Sequence, residues 1–254
     1  MGVAWYQGVA QRSALDRALV RARATWGGLR ERRRFADVRA YAGFLGYARS
    51  GHTLLAALLD AHPDAVISNE LDAFALLRAG FGRLALYHMI LANSRAFGQS
   101  GAEWTGYSYE VPEGWQGVHR NLHVIGDKKA GLSSRRLHNY PWLLDRVRRV
   151  TGVPLRLVHV VRDPFDHVAS RMRHKPGWTA DRVVDQLEFV YEAVASVKSR
   201  TDPSEVLDLT HEDLVADPRR ELERCRTFLG LVPEAEWLEN AAGIVLPAPR
   251  GGGE

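Results

Sequence analysis

The chain holds a single cysteine, Cys225, so no intrachain disulfide closes any loop, and no cluster of ligand-type residues has zinc-site spacing. Cys225 is read as a small apolar core residue. No apolar segment of signal-peptide type follows a basic start, and no uninterrupted apolar run approaches the length of a membrane span. The expectation is a cytoplasmic protein without an integral membrane segment. Positive charge is concentrated at one end. Residues 1–40 carry nine arginines against three acids, and the rest of the chain is slightly acidic. That distribution argues against nucleic acid as a partner, because no basic surface spreads over the body. Composition shows no linker, so one core is expected, with 1–40 a basic N-terminal helical segment and 41–254 an α/β domain.

What is present is organised around residues 44–70, FLGYARSGHTLLAALLDAHPDAVISNE. An apolar strand runs into a glycine-containing loop, and an apolar helix follows until His62-Pro63 stops it. Gly46 and Gly51 bracket four residues and Thr53 follows, which is the spacing of a phosphate-cradling loop. The lysine that serves a triphosphate is replaced by His52, and a cation stands earlier, as Arg49. Backbone N–H groups at a helix N-terminus bind any phosphate, so the loop is expected to hold a phosphate outside a triphosphate. Glycines ahead of a helix also serve as a plain tight turn.

The remaining elements alternate. Residues 13–34 read as an Ala-, Leu- and Arg-rich helix interrupted at Gly27-Gly28, with Leu15, Ala18, Leu19, Ala22 and Trp26 at helical spacing. Such an arm suits an acidic surface or a partner, or packs on its own domain. A strand over 65–68 delivers Glu70 at its carboxyl end, where open α/β sheets bind ligands; a helix N-terminal acid is the plainer reading. Helix is expected over 71–96 with a break at Gly80 to Gly82. Residues 97–120, with five glycines and Trp104, Tyr107, Tyr109 and Trp115, read as an irregular lid or binding loop. The next strand, 122–125, ends at Gly126, Asp127, Lys128 and Lys129. A helical stretch through Arg149, bent at Pro141, precedes the strand LRLVHVV over 155–161, apolar as burial on both faces requires. Arg162-Asp163-Pro164 follows it. Thr179 caps a helix whose stripe of Val183, Val184, Leu187, Val190, Tyr191, Val194 and Val197 is assigned to the core. A strand over 205–209, then His211 to Leu214, and a helix from Asp217-Pro218 to Gly230 complete the pattern. Strands alternating with helices predict an α/β, three-layer P-loop-like fold with a central, mostly parallel sheet of four or five strands and helices on both faces.

Three segments in order give the chain a resemblance to the sulfotransferases that use 3'-phosphoadenosine-5'-phosphosulfate (PAPS), nearest in motif to the tyrosylprotein and carbohydrate branches. Tyr47 to Leu54 resembles the family's 5'-phosphosulfate loop, and Arg162 with Ser170 its grip on the 3'-phosphate. His211-Glu212-Asp213-Leu214 with Phe228-Leu229-Gly230 is similar to its later Tyr-Glu-Asp-Leu stretch. The resemblance implies PAPS as cofactor, PAP as product, no metal, and in-line transfer to a hydroxyl or amine of a small-molecule, carbohydrate, lipid or phenolic acceptor. It implies a catalytic set of Glu70 as base with Arg49 and Lys128, and cofactor contacts from Arg49, Ser50, Gly51, His52, Thr53, Leu54, Arg162 and Ser170.

Second choices are His119 and His123 as bases, Lys129 in place of Lys128, and Arg250 as a remnant of the late 3'-phosphate motif. Leu54 stands where another branch stacks adenine on tryptophan, so the adenine platform has no assigned residue. The rival readings are a P-loop kinase using magnesium ATP, disfavoured by His52, and a non-catalytic nucleotide-binding or interaction protein docking through its basic helix.

Overall fold

The computed structural model describes residues 8–9, 12–175 and 177–245. Helix α1 (Ala14–Glu31) precedes β1 (Ala40–Gly46) and α2 (His52–Asp60); β2 (Ala65–Asn69) leads into α3 (Ala73–Arg78) and α4 (Arg83–Gln99). A small hairpin of β3 (Glu103–Trp104) and β4 (Tyr107–Ser108) comes next, then β5 (Val124–Lys128), α5 (Ala130–Asn139) and α6 (Leu143–Thr151). After β6 (Leu155–Val161) come α7 (Pro164–His174) and α8 (Ala180–Lys198), and after β7 (Val206–Thr210) come α9 (His211–Ala216), α10 (Pro218–Leu229) and α11 (Ala235–Gly243).

The main sheet has the order β2-β5-β1-β6-β7, and every neighbouring pair in it is parallel. The chain leaves the central strand β1 for β2 and β5 on one side, then crosses to β6 and β7 on the other. The carboxyl end of β1 is therefore the topological switch point, where flanking connections diverge and leave a crevice. Alternation along β1 supplies both faces. Tyr41 and Leu45 join one apolar cluster with residues of α1, α3, α4, α5, α6 and α8, while Ala42 and Phe44 join another with residues of α2, α10 and α11. Three layers result, as the alternating pattern predicts. Cys225 lies in the second cluster, fully buried, and burial pushes its thiol up to about 12.

Three local readings are corrected. Helix α1 runs unbroken through Gly27 and Gly28, because these glycines mark a close crossing with α4: a Cβ on Gly28 would collide with the Leu84 carbonyl oxygen, and one on Gly27 with the His88 ring. The helix turns Val20, Ala24 and Gly28 inward, and the apolar stripe that spacing alone would bury faces out, with Leu15 70%, Leu19 61% and Trp26 66% exposed. Periodicity identifies a stripe but not which side the domain offers a close approach. Strand β5 begins two residues later than expected and runs to Lys128, pairing Gly126 with Ala42 and Ile67 and Asp127 with Gly43 and Ser68. Gly126 is a ladder residue here, since a Cβ would strike the Ala42 backbone. Helix α4 also extends past Ala96 to Gln99, so the 97–120 segment starts as helix and contains the β3–β4 hairpin.

Candidate active site

The loop after β1 is shaped by left-handed backbone at Gly46 (φ 129°), Arg49 (φ 80°) and Gly51 (φ 90°). Gly51 caps α2, and a Cβ there would collide with the Nδ1 atom of His211. The loop is fixed from several elements. Gly46 N–H donates to Ser134 Oγ at 3.1 Å, and Nε2 of His167 on α7 lies 2.7 Å from the Ala48 carbonyl oxygen. The Tyr47 ring packs among His159, His167 and Tyr191. Ser50 is fully buried; its hydroxyl reaches the Tyr47 carbonyl oxygen at 3.0 Å and His52 Nδ1 at 3.1 Å. Burial, reinforced by Lys128, pushes His52 down to about 3, so the residue at the lysine position of a triphosphate loop is a neutral ring.

Glu70 leaves β2 in a left-handed conformation (φ 63°), and Asp72 follows likewise (φ 70°). That unusual turn is held from beneath. Asp127 in β5 accepts from Ser68 Oγ at 2.7 Å, Leu71 N–H at 3.2 Å and Ala73 N–H at 2.9 Å. Burial raises the Asp127 carboxyl to about 6 despite those donors. Asn93 donates to the Asn69 carbonyl at 2.8 Å, and Arg136 forks onto Asp72 at 2.8 and 2.5 Å. The backbone strain is thus over-determined by its surroundings, as strained functional turns are.

Lys128 is at the end of β5 beside Asn69 in β2, which brings it to Glu70. Its side chain is 0% exposed, with Nζ donating to Glu70 Oε1 at 2.6 Å and to Thr53 Oγ1 at 3.0 Å. Lys129 reaches the other oxygen, Oε2, at 2.7 Å. Burial pushes the Glu70 carboxyl up, but the two lysines outweigh it and leave the group below its ordinary value. Burial lowers Lys128, against the pull of Glu70.

Arg162 leaves β6 and donates from Nη1 to the Arg49 carbonyl at 3.2 Å, while Arg49 Nε approaches Ser170 Oγ at 3.4 Å. The helix carrying Ser170 is fixed at its start by Asp163, which accepts from Phe165 and Asp166 N–H, with Pro164 in the first turn. Arg49, Gly51, His52, Thr53, Leu54, Glu70 and Arg162 line one cavity of about 360 Å³, a size suited to a small ligand. Ser50, Lys128 and Ser170 stand behind that lining, each bonded to a residue in it.

The segment expected as a lid or binding loop contributes to this cavity, whereas Thr105, Arg171, His174 and Lys175 were not singled out from sequence. The hairpin supplies Trp104, Thr105, Tyr107 and Tyr109, with the Arg49 guanidinium 5.5 Å from the Tyr107 ring centre. Arg171, His174 and Lys175, within five residues after Ser170, and His211 complete it. The density of cations directly after Ser170 was the available indication. The other predicted positions lie elsewhere. His119 and His123 precede β5 and sit by the β2 entrance, where Asp64 is 3.7 Å from His123; parallel strands put that end of the sheet opposite the crevice. Arg250 lies outside the described residues.

Of the residues lining this cavity, two carry a buried polar atom without a partner among the described residues: Arg162 at Nε and His211 at Nδ1. A free guanidinium donor beside a loop of left-handed backbone at a helix N-terminus fits a ligand with two separate phosphate groups. PAPS is such a ligand.

The fold is similar to the sulfotransferase domain of the Synechococcus PCC 7002 olefin synthase, with a TM-score of 0.52 and 20% identity over 81% of this chain and 78% of that one. A sulfotransferase from Mycobacterium tuberculosis H37Rv aligns with TM-score 0.49 and 14% identity, over 87% of this chain and 76% of that chain. A mouse sulfotransferase complexed with PAP aligns at 0.46 and 16%, over 82% and 63%. The architecture is thus the P-loop-like α/β fold of sulfotransferases. Residues 154–234, from β6 through α10, match the model of a sulfotransferase family, and Arg162 and Ser170 lie within the matched residues. Among curated proteins no sequence relative matches. Among the described residues, no helix is long and apolar enough to cross a membrane.

Proposed function

We propose that the protein is a PAPS-dependent sulfotransferase that transfers a sulfuryl group to a hydroxyl or amine by in-line displacement, with Glu70 as general base. The observation that carries this reading is one cavity shared by the loop over 46–53, Arg162 and Glu70. PAPS supplies the activated sulfuryl group when bound. The amides from Arg49 to Thr53 and the start of α2 hold its 5'-phosphate side, aided by the Ser50 and Thr53 hydroxyls. Arg162 and Ser170 take the 3'-phosphate. Leu54 and the hairpin aromatics bound the remaining space.

Glu70 receives the acceptor's proton as the acceptor's oxygen or nitrogen bonds to sulfur. Arg49 and Lys128 stabilise the charge left on the phosphate oxygen as its bond to sulfur breaks. The two lysines make the resting carboxylate a weak base. Engagement of Lys128 with the transferring group withdraws one of them and strengthens Glu70 at the moment of transfer. Lys129 keeps the carboxylate oriented, and the chain divides into a basic segment, 1–40, and a sulfotransferase unit, 41–254. The kinase reading is disfavoured by the neutral ring of His52 where a triphosphate loop has its lysine.

The test is PAP release from PAPS with a panel of hydroxyl and amine acceptors. Acceptor-dependent release that persists in chelator supports the proposal. Phosphorylation of the acceptors from magnesium ATP, with no PAP released from PAPS, overturns it.

A further inference from the structure

Glu70 stands between two cavities. The first, already described, is on the side of Oε1, Lys128 and Thr53. A second cavity of about 240 Å³ also includes Glu70, and Lys129, which binds Oε2, lines it. In an in-line transfer the attacking and leaving atoms lie on opposite sides of the transferred group, so the acceptor approaches the base from a side that the donor does not fill. The second cavity is therefore the place for the acceptor, provided the sulfotransferase reading holds.

Its walls define a chemistry. Leu132, Leu187 and Val190 form an apolar floor, so two residues of the α8 stripe assigned wholly to the core also face a cavity. Arg135 and Arg171 stand on the lining as well. Each guanidinium is stacked on an aromatic ring, Arg135 at 5.2 Å from the Phe189 centre and Arg171 at 5.3 Å from that of Trp178. Stacking fixes the plane of the fork and leaves its edge for an anion. Arg171 donates to Gln186 at 3.3 Å, and no ion pair among the described residues engages either arginine. The sole carboxylate on the lining, Glu70, is already held by two lysines.

We infer that the acceptor is a small molecule with an apolar body and an anionic group, its nucleophile reaching Glu70 and its carboxylate or phosphate reaching Arg135 and Arg171. Neutral phenols and unsubstituted sugars lack the group that these arginines would bind.

The test first titrates PAP into the wild type, Arg135→Gln and Leu132→Trp, then measures PAP release from PAPS with matched acceptors. These are 4-hydroxyphenylacetate against 4-hydroxyphenylacetamide, and 8-hydroxyoctanoate against 8-hydroxyoctanamide. PAP binding is expected to be alike in all three proteins. The wild type is expected to favour at least one acid over its amide by about tenfold or more in kcat/KM, a difference of ~1.4 kcal/mol. Arg135→Gln should abolish that preference, and Leu132→Trp should lower kcat/KM for acid and amide together. Equal use of acid and amide, a preference unchanged in Arg135→Gln, or no turnover of either acid while PAP binds overturns the inference. Loss of PAP binding in the wild type itself would instead remove the reading on which it rests.

Discussion

Replacing Glu70 by glutamine separates the roles assigned to this carboxylate. In the native protein its oxygens lie 2.6 Å from Lys128 and 2.7 Å from Lys129, and the Lys128 side chain is entirely buried. Glutamine keeps the shape but leaves the Lys128 ammonium without a countercharge. Removing one partner of a buried ion pair costs about 3–5 kcal/mol. Glu70 retains some exposure, so the lower end applies. At roughly 2–4 °C per kcal/mol for a chain of this size, melting should fall by about 6–12 °C.

The pH dependence of that loss identifies its cause. Burial already lowers Lys128, and Glu70 opposes the shift. Without Glu70 the folded state binds fewer protons than the unfolded state over a wider range, so the variant should regain stability as pH rises toward the lysine range. The native Glu70 acts in the opposite window. Its pKa is lowered, so its contribution is present above the ordinary carboxylate range and is lost as pH falls through the folded value. Below the variant's melting temperature, PAP binding should persist while turnover falls by ~10²–10⁴. Near-native turnover with PAP bound would refute the base assignment, and unchanged melting would refute the stranded-lysine argument.

Further substitutions test other parts of the account. Gly51→Ala meets both a φ of 90° and the His211 ring, and should cost ~1–3 kcal/mol in stability and weaken PAP more than tenfold, read by melting and calorimetry. Asp60 is buried, accepts from Ile67 N–H at 2.7 Å and from Ser94, and burial raises it to about 7. Its raised pKa means stability is greatest below the ordinary aspartate range and declines as pH rises through about 7; Asp60→Asn should flatten that slope in denaturant titrations. Gly28→Ala should loosen the α1–α4 crossing and cost ~1–3 kcal/mol by melting, because its Cβ would meet Leu84 backbone.

The architecture was legible wherever a residue had a local physical reason. The strand over 155–161 is apolar because both faces are covered, and Thr179 and Asp217 cap the helices that follow them. The loop between Gly46 and Gly51 combined turn glycines with an apolar helix. Glu70 was placed by its position at a strand end, and the structure brings it to Lys128. What sequence could not supply depended on packing between distant segments. Gly126 looked like a strand end because its ladder partners Ala42 and Ile67 are far away in sequence. Gly27 and Gly28 looked like a break because Leu84 and His88, which require them, lie on another helix. The hairpin aromatics could be flagged as a binding segment, but only tertiary folding puts Tyr107 over Arg49. His119 and His123 were candidates by proximity along the chain, yet they flank the opposite end of the sheet.

The central claim is that this cavity binds a 3'-phosphorylated sulfuryl donor, and calorimetric titration with PAP, beside ADP and magnesium ATP, tests it most directly. The account predicts metal-independent PAP binding that exceeds both competitors and weakens at least about thirtyfold in Arg162→Ala, the loss of ~2 kcal/mol expected for a charged contact to phosphate. Preference for magnesium ATP, or PAP affinity indifferent to Arg162, would contradict it.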